Sequence, residues 1–214
     1  MKRFIISTLS IVIVIILINT VLIVAIPHDN NAYLCEYNHK VELIENVESP
    51  RIIFVGGSSI AFGNDSKTIA DSLGMNVINF GLHAGVGFRY PAEDCLQYVK
   101  KNDIFVFQIE YGNFLNGGFG TDALHGLAIS TNWRNFSSLY PQQYVNIFTG
   151  MPDIAYGQLK RLIKYPIKKT FDTPTESPVY QYAKSNFNEF GDECRHWDIS
   201  NIKYSPNKTS VKDK

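Results

Sequence analysis

The residues with the clearest capacity for chemistry stand in the stretch FVGGSSIAFG, residues 54–63, where paired glycines and paired serines follow an apolar run. Glycine lets the backbone turn sharply and lets a substrate approach closely. A serine here would project from the carboxyl edge of a sheet, beside helix N–H groups that favour developing negative charge. A serine nucleophile for acyl transfer needs this setting. The alternative is a tight strand-to-helix turn with a capping serine.

Three common motifs do not fit this stretch. No Gly-Lys-Ser/Thr follows, so it is not a phosphate-binding loop. The spacing of Gly56, Gly57 and Gly63 differs from that of the dinucleotide-binding G-x-G-x-x-G motif. It also lacks the G-x-S-x-G pattern of the nucleophile elbow.

Two further polar or glycine-rich turns follow apolar runs in the same way. Residues 81–87 (GLHAGVG) follow the run at 76–80, and residues 110–113 (EYGN) follow the run at 103–109. The carboxyl ends of neighbouring parallel strands meet at one edge of a sheet, where ligands bind. We therefore expect all three turns to converge on one site.

The elements that would position these turns alternate between strand and helix. Apolar, β-rich runs at 51–55, 76–80 and 103–109 predict three strands, and the third lacks alternation, as in a strand covered on both faces. Helical spacing at 65–73, with Asp65 as a cap, and at 91–100 predicts two helices between them. The pattern predicts an α/β fold with a parallel sheet and right-handed crossovers.

The N-terminus predicts a membrane anchor. Residues 4–26 carry no charge, and roughly 20 apolar residues suffice for a helix to cross a bilayer. Lys2 and Arg3 place residues 1–3 in the cytoplasm and the domain outside it, in a single-pass protein of the plasma membrane. The alternative is a cleaved signal peptide, but its apolar region would be shorter, about 7–15 residues.

The rest of the chain is less regular. We expect a linker at 27–50, a domain at 51–200 with an insertion around 115–150, and a disordered tail at 201–214. Residues 156–169 favour a basic amphipathic helix, interrupted at Pro166, whose exposed side is a solvated face. Cys35, Cys95 and Cys194 lack metal-ligand spacing, leaving one disulfide or isolated thiols open. The 20 basic and 20 acidic residues balance, which argues against a nucleic-acid partner.

Three blocks in order resemble the SGNH (GDSL-like) hydrolase superfamily: RIIFVGGSSIAFGNDS, NVINFGLHAGVGFRY and NDIFVFQIEYGNF. The resemblance covers residues 50–115, and more weakly FNEFGDECRH at 187–196. It is to membrane-anchored members found among bacterial cell-surface polysaccharide proteins. It implies a flavodoxin-like three-layer α/β/α sandwich. It also implies ester hydrolysis or O-acyl transfer on a glycan, without metal or nucleotide cofactor.

The resemblance assigns roles to individual residues. Gly57 falls in the first block beside Ser58, the implied nucleophile, whose N–H would be one oxyanion donor; Ser59 is the second choice. Gly81 or Gly85 would supply the second donor N–H. Asn113 is a further candidate donor, Glu110 belongs to an acidic-aromatic pair typical of the polysaccharide subgroup, and His83 could touch substrate.

The fourth block of the family, Asp-x-x-His, does not occur in this sequence. Glu193 and His196 have its spacing with glutamate substituted, so His196 is either a substitute base or an ordinary surface histidine, and we favour the surface role. One possibility is a truncated relative that lacks its last strand–helix unit. The other is an intact, non-catalytic protein.

Three functions therefore stand as hypotheses. The first is a membrane-tethered esterase or O-acyltransferase-like protein acting on acylated surface glycan, with or without a working base. The second is a non-catalytic glycan-binding or scaffolding subunit, for which the aromatic residues of 133–144 suit carbohydrate stacking. The third is a nucleotide-binding flavodoxin-like domain, for which the first turn offers no obvious phosphate contacts.

Overall fold

The computed structural model describes residues 1–25, 30–115, 117–131, 137, 139–164 and 183–198. Within them the chain forms a parallel sheet of three strands, β1 (Arg51–Gly56), β2 (Asn76–Asn79) and β3 (Ile104–Gln108), in the order β2-β1-β3. Phe54 lies beside Asn79 and Gly56 beside Gln108, so the carboxyl ends share one edge. The predicted α/β class and parallel sheet are confirmed.

Eight helices accompany the sheet in the described part of the chain. They are α1 (Lys2–Ala25), α2 (Glu36–Asn46), α3 (Ser58–Gly63), α4 (Ser66–Leu73), α5 (Arg89–Leu96), α6 (Tyr111–Leu115), α7 (Asp122–Ser130) and α8 (Pro141–Lys164). The predicted cap of α4 is present, because the Asp65 carboxylate accepts a hydrogen bond from the Thr68 N–H at 3.0 Å. Gly74 ends α4 at φ 63°, a left-handed conformation that favours glycine.

The three strands differ in how well they are covered. In the central strand β1, Ile53 and Val55 are fully buried, as expected for a strand packed on both faces. Strand β3 was predicted to be equally covered, and this is wrong. Ile104 is exposed and Phe105 and Phe107 are only partly buried. Unbroken apolar sequence therefore marks β3 as a strand without revealing that it is the outer strand of the sheet formed by the described residues.

The predicted linker at 27–50 needs correction over residues 33–46. A 3₁₀ turn (Tyr33–Cys35) leads into α2, whose Tyr37, Val41 and Ile44 are buried in the main core. The buried Arg51 guanidinium donates to the Ile44 carbonyl at 2.6 Å and to the Val47 carbonyl at 2.8 Å, which satisfies the end of α2. This segment is an integral part of the domain.

The region expected as an insertion around 115–150 is partly helical. Leu124 and Leu127 of α7 belong to the core, and α8 packs against both α7 and α1. Residues 156–164 are helical as predicted, as the end of α8, while 165–169 and the tail at 201–214 lie outside the described residues. No disulfide joins Cys35, Cys95 and Cys194 in this structure.

Helix α1 is long and apolar enough to cross a membrane. Four of its polar side chains donate hydrogen bonds within the helix: Thr8 to the Phe4 carbonyl at 3.0 Å, Ser10 to the Ile6 carbonyl at 2.9 Å, Asn19 to the Ile15 carbonyl at 2.8 Å and Thr20 to the Ile16 carbonyl at 2.9 Å. Polar groups satisfied in this way are tolerated in hydrocarbon, since the lipid offers no partner of its own.

Candidate active site

Ser58 stands at the rim of the sheet, as the first residue of α3 directly after β1 and Gly57. It is partly exposed and Ser59 is exposed. The first N–H groups of a helix have no partner inside the helix, so this position is suited to holding negative charge.

A carboxylate of the protein itself lies at this helix start. Glu110 Oε1 accepts hydrogen bonds from the Ser59 N–H at 3.3 Å, from the Ser59 hydroxyl at 3.3 Å and from the Ser58 hydroxyl at 3.5 Å. The Gln108 amide donates to Ser59 Oγ at 3.3 Å. The end of β3 thereby supplies the anion that the start of α3 attracts.

Gly57 leaves room for this close approach. A Cβ atom at Gly57 would lie 2.2 Å from Glu110 Oε1 and 3.1 Å from Ala84 Cα. Its lack of a side chain lets the first turn meet both the second turn and the Glu110 carboxylate. From the sequence, glycine was expected here for a sharp turn and for the close approach of a substrate; in the structure the group that approaches is the protein's own Glu110 carboxylate.

The glycines of the second turn do not offer free oxyanion donors. The Gly81 N–H donates to Asn79 Oδ1 at 2.9 Å, and the Gly85 N–H donates to His83 Nδ1 at 2.9 Å. The expected role of either glycine as second donor is therefore not met in this conformation. His83 therefore stabilises its own turn by accepting this hydrogen bond, which is a common role for a histidine in a turn.

Asn113 connects the second and third turns. Its side-chain amide is buried and donates to the Ala84 carbonyl at 3.3 Å, so it is not aimed at Ser58 as an oxyanion donor. Its backbone N–H donates to the Glu110 carbonyl at 2.9 Å. The three turns thus converge as expected, but their polar groups bond to one another within the protein.

His196 does not pair with Ser58 in the described structure. Its Nδ1 lies 2.8 Å from Glu193 Oε2, and its ring packs on Phe62 with 5.7 Å between centroids. Phe62, rather than His196, lines the pocket beside the serines. The histidine and acid of the weak fourth block are joined through Nδ1, as in an acid–histidine pair, but the Ser58 hydroxyl bonds to Glu110 and not to this histidine.

Asp192 has a structural role that the sequence did not reveal. Its buried carboxylate accepts from the Ser66 N–H at 2.9 Å, the Ser66 hydroxyl at 2.7 Å and the Asn79 amide at 2.7 Å. The Asn79 N–H also donates to the Phe190 carbonyl at 2.9 Å. These bonds attach residues 186–196 to the end of β2.

Lys40 secures the same junction from α2. Its fully buried ammonium donates to the Asn79 carbonyl at 2.8 Å and to the Gly191 carbonyl, and lies 4.6 Å from the centroid of the Phe187 ring. Burial lowers the pKa of Lys40 to about 8, and the nearby Glu36 and Asp192 carboxylates limit the decrease. The C-terminal segment is therefore held by charged groups that are buried.

A shallow pocket of about 650 Å³ opens over the serines. It is lined by Ser58, Ser59, Phe62, Gln108, Ile109, Glu110 and Tyr111. Phe62, Gln108, Ile109 and Tyr111 were not predicted as site residues, although the pairing of Gln108 with Gly56 across parallel strands would have pointed to Gln108. No group of three or more His, Cys, Asp or Glu residues is placed to bind a metal ion in the described portion of the chain.

Compared with protein-family models, with curated proteins and with solved structures, the chain matches none of them.

Proposed function

We propose that this protein is a membrane-tethered glycan-binding subunit of a cell-surface polysaccharide system, with an SGNH-like flavodoxin-type domain held outside the plasma membrane by α1. The observation that carries the proposal is the Glu110 carboxylate at the start of α3, where an acyl-transfer enzyme would bind its oxyanion. A site already holding a carboxylate disfavours a second negative charge and favours neutral hydroxyl groups.

The pocket has the chemistry that carbohydrate recognition requires. Glu110 is an acceptor for sugar hydroxyls, while Gln108 and the serines both donate and accept. Tyr111 is 79% exposed beside them and offers an aromatic face on which the apolar side of a sugar ring can pack. Few polar groups beside aromatic side chains are typical of small-ligand sites.

The same geometry weighs against ester cleavage. A serine nucleophile is usually activated by a histidine that bonds an acid through Nδ1 and takes the serine proton through Nε2. His196 has the acid bond, to Glu193, but within the described residues the Ser58 hydroxyl bonds to Glu110 and not to His196. The N–H groups of Gly81 and Gly85 are already bonded to Asn79 and His83. These contacts support binding in preference to catalysis.

One observation favours a second candidate, a serine esterase or O-acyltransferase. Ser58 is partly exposed at the first position of α3, and its hydroxyl makes only a long hydrogen bond to Glu110, at 3.5 Å. A substrate that displaced the Glu110 side chain would meet the Ser58 hydroxyl and its N–H. This candidate predicts hydrolysis of p-nitrophenyl acetate that is lost in Ser58→Ala.

The proposal is tested by binding of the full chain, in detergent micelles, to an array of bacterial surface polysaccharides with and without O-acetyl groups. Binding should persist in Ser58→Ala and fall strongly in Glu110→Ala. Glu42→Ala, a change at an exposed carboxylate of α2, serves as the matched control and should bind as wild type. Binding that is unaffected by Glu110→Ala would reject the site, and binding to no polysaccharide would reject the function.

A further inference from the structure

Helix α8 presents two apolar faces, and only one of them is buried. Ile147 and Ala155 face the body of the protein. A second set of residues, three or four positions apart, forms what we call the α8 stripe: Val145, Phe148, Pro152, Tyr156, Leu159 and Ile163. The large apolar side chains among them are 40 to 78% exposed. With about 1.5 Å of rise per residue the stripe runs for about 27 Å on one side of the helix.

The position of α8 in the molecule places this stripe near the membrane. Helix α8 packs against α1, the helix that can span a bilayer. On α1, Ile23 is 2% exposed whereas Ile18 remains 54% exposed, so the contact with the body lies at the carboxyl-terminal end of α1. That end is where the chain leaves the hydrocarbon, and α8 is therefore held at the level of the membrane surface.

The charges of α8 suit an anionic membrane surface. Asp153 is its one acidic residue, against Lys160, Arg161 and Lys164 towards the carboxyl end. Lys160 Nζ lies 4.4 Å from the centroid of the Tyr156 ring, beside the stripe. Long basic side chains next to an apolar stripe reach headgroup phosphates while the apolar groups sit in the acyl boundary.

We propose that α8 lies in the membrane interface and forms a second lipid contact, in addition to the α1 span. The stripe enters the acyl boundary, and Lys160 binds the phosphates of anionic lipid. This replaces the expectation that the exposed side of residues 156–164 is simply solvated. The proposal rests on α1 being embedded, and not on what the pocket binds.

The test uses the full chain reconstituted in vesicles of phosphatidylethanolamine and phosphatidylglycerol, with a brominated phosphatidylcholine as quencher. Single tryptophans replace Tyr156 or Ile163 in a background carrying Trp133→Phe and Trp197→Phe. Leu73→Trp, at a 59% exposed apolar position on α4, is the matched control. Flotation with the vesicles first verifies that each variant is embedded.

Emission from Tyr156→Trp and Ile163→Trp should shift to shorter wavelength and be quenched by the brominated lipid but not by iodide. Leu73→Trp should show the reverse. Lys160→Glu should weaken lipid quenching at Tyr156→Trp in anionic vesicles more than in vesicles without phosphatidylglycerol. Equal iodide quenching at all three positions would overturn the proposal. Protection from both quenchers, with a dimer detected by cross-linking, would assign the stripe to a second copy and overturn it equally.

Discussion

Glu110 is the side chain that decides the character of the pocket, because its carboxylate accepts hydrogen bonds from both serines at the start of α3. Glu110 follows β3, while the serines that it contacts follow β1. The sequence predicted that Glu110 and Ser58 lie at the same edge of the sheet. It could not show that the carboxylate would occupy the helix start, since that depends on side-chain packing across about 50 residues of chain.

Gly57 and Glu110 should be coupled energetically. Gly57→Ala places a Cβ against Glu110 Oε1 and Ala84 Cα, and such overpacking typically costs about 1–3 kcal/mol. In the background of Glu110→Ala the first clash disappears, so the same change should cost less. Chemical denaturation of wild type, both single variants and the double variant measures this coupling.

Gly63→Ala is the matched control, because a Cβ there meets no atom within 4 Å. It should leave the free energy of unfolding near the wild-type value in both backgrounds. Additive effects of Gly57→Ala and Glu110→Ala would contradict the close approach of the carboxylate to Gly57.

Asp192 should be among the most sensitive residues for stability. Asp192→Ala leaves the buried Ser66 hydroxyl and Asn79 amide without their shared acceptor, with an expected loss of about 2–4 kcal/mol. Thermal unfolding of the full chain in micelles measures it, and limited proteolysis should show earlier cleavage within 186–196. The control Asp71→Ala removes an exposed carboxylate and should leave the melting temperature unchanged.

At the scale of elements, the local sequence patterns predicted the strands and helices whose formation does not depend on tertiary packing. Strands β1 to β3 and α4, with its Asp65 cap, follow from apolar runs and a capping residue. Helix α2 was predicted as linker because its sequence EYNHKVELIEN looks polar, yet Glu36 and Lys40 are buried with partners. The exposure of β3 likewise could not be predicted, because it depends on which elements pack beside the strand and not on the apolar run itself.

The α2 junction should show a pH dependence of stability through Lys40. Its pKa is about 8 in the folded protein against 10.5 ordinarily, so between these values the unfolded chain binds more protons. The contribution of Lys40 to the free energy of unfolding therefore rises with pH from about 8 to 10.5 and is constant well below 8. Burial in the folded protein disfavours the protonated, charged form of Lys40.

Denaturation of wild type and Lys40→Met at several pH values from 7 to about 10.5 isolates this contribution, since other titrating groups are common to both. The difference in stability between wild type and Lys40→Met should change in favour of wild type as pH rises through this range. A difference that stays constant with pH would show that Lys40 is not desolvated in the folded chain.

At the scale of the whole molecule, α1 is long and apolar enough to anchor the α/β domain in a bilayer, and we propose that α8 adds a second lipid contact. Lys2 and Arg3 predict a cytoplasmic N-terminus. Protease added to spheroplasts should therefore degrade the domain, whereas inverted membrane vesicles should protect it. Protection in spheroplasts would reverse the predicted orientation and remove access to cell-surface glycan.

The most direct test of the central claim is intact-mass analysis of the full chain after incubation with a fluorophosphonate, followed by peptide mapping. We expect folded protein that binds polysaccharide to form no adduct at Ser58, because within the described residues no histidine bonds to its hydroxyl and Glu110 occupies the helix start. A stoichiometric adduct at Ser58, abolished by Ser58→Ala, would contradict it and establish a working serine nucleophile.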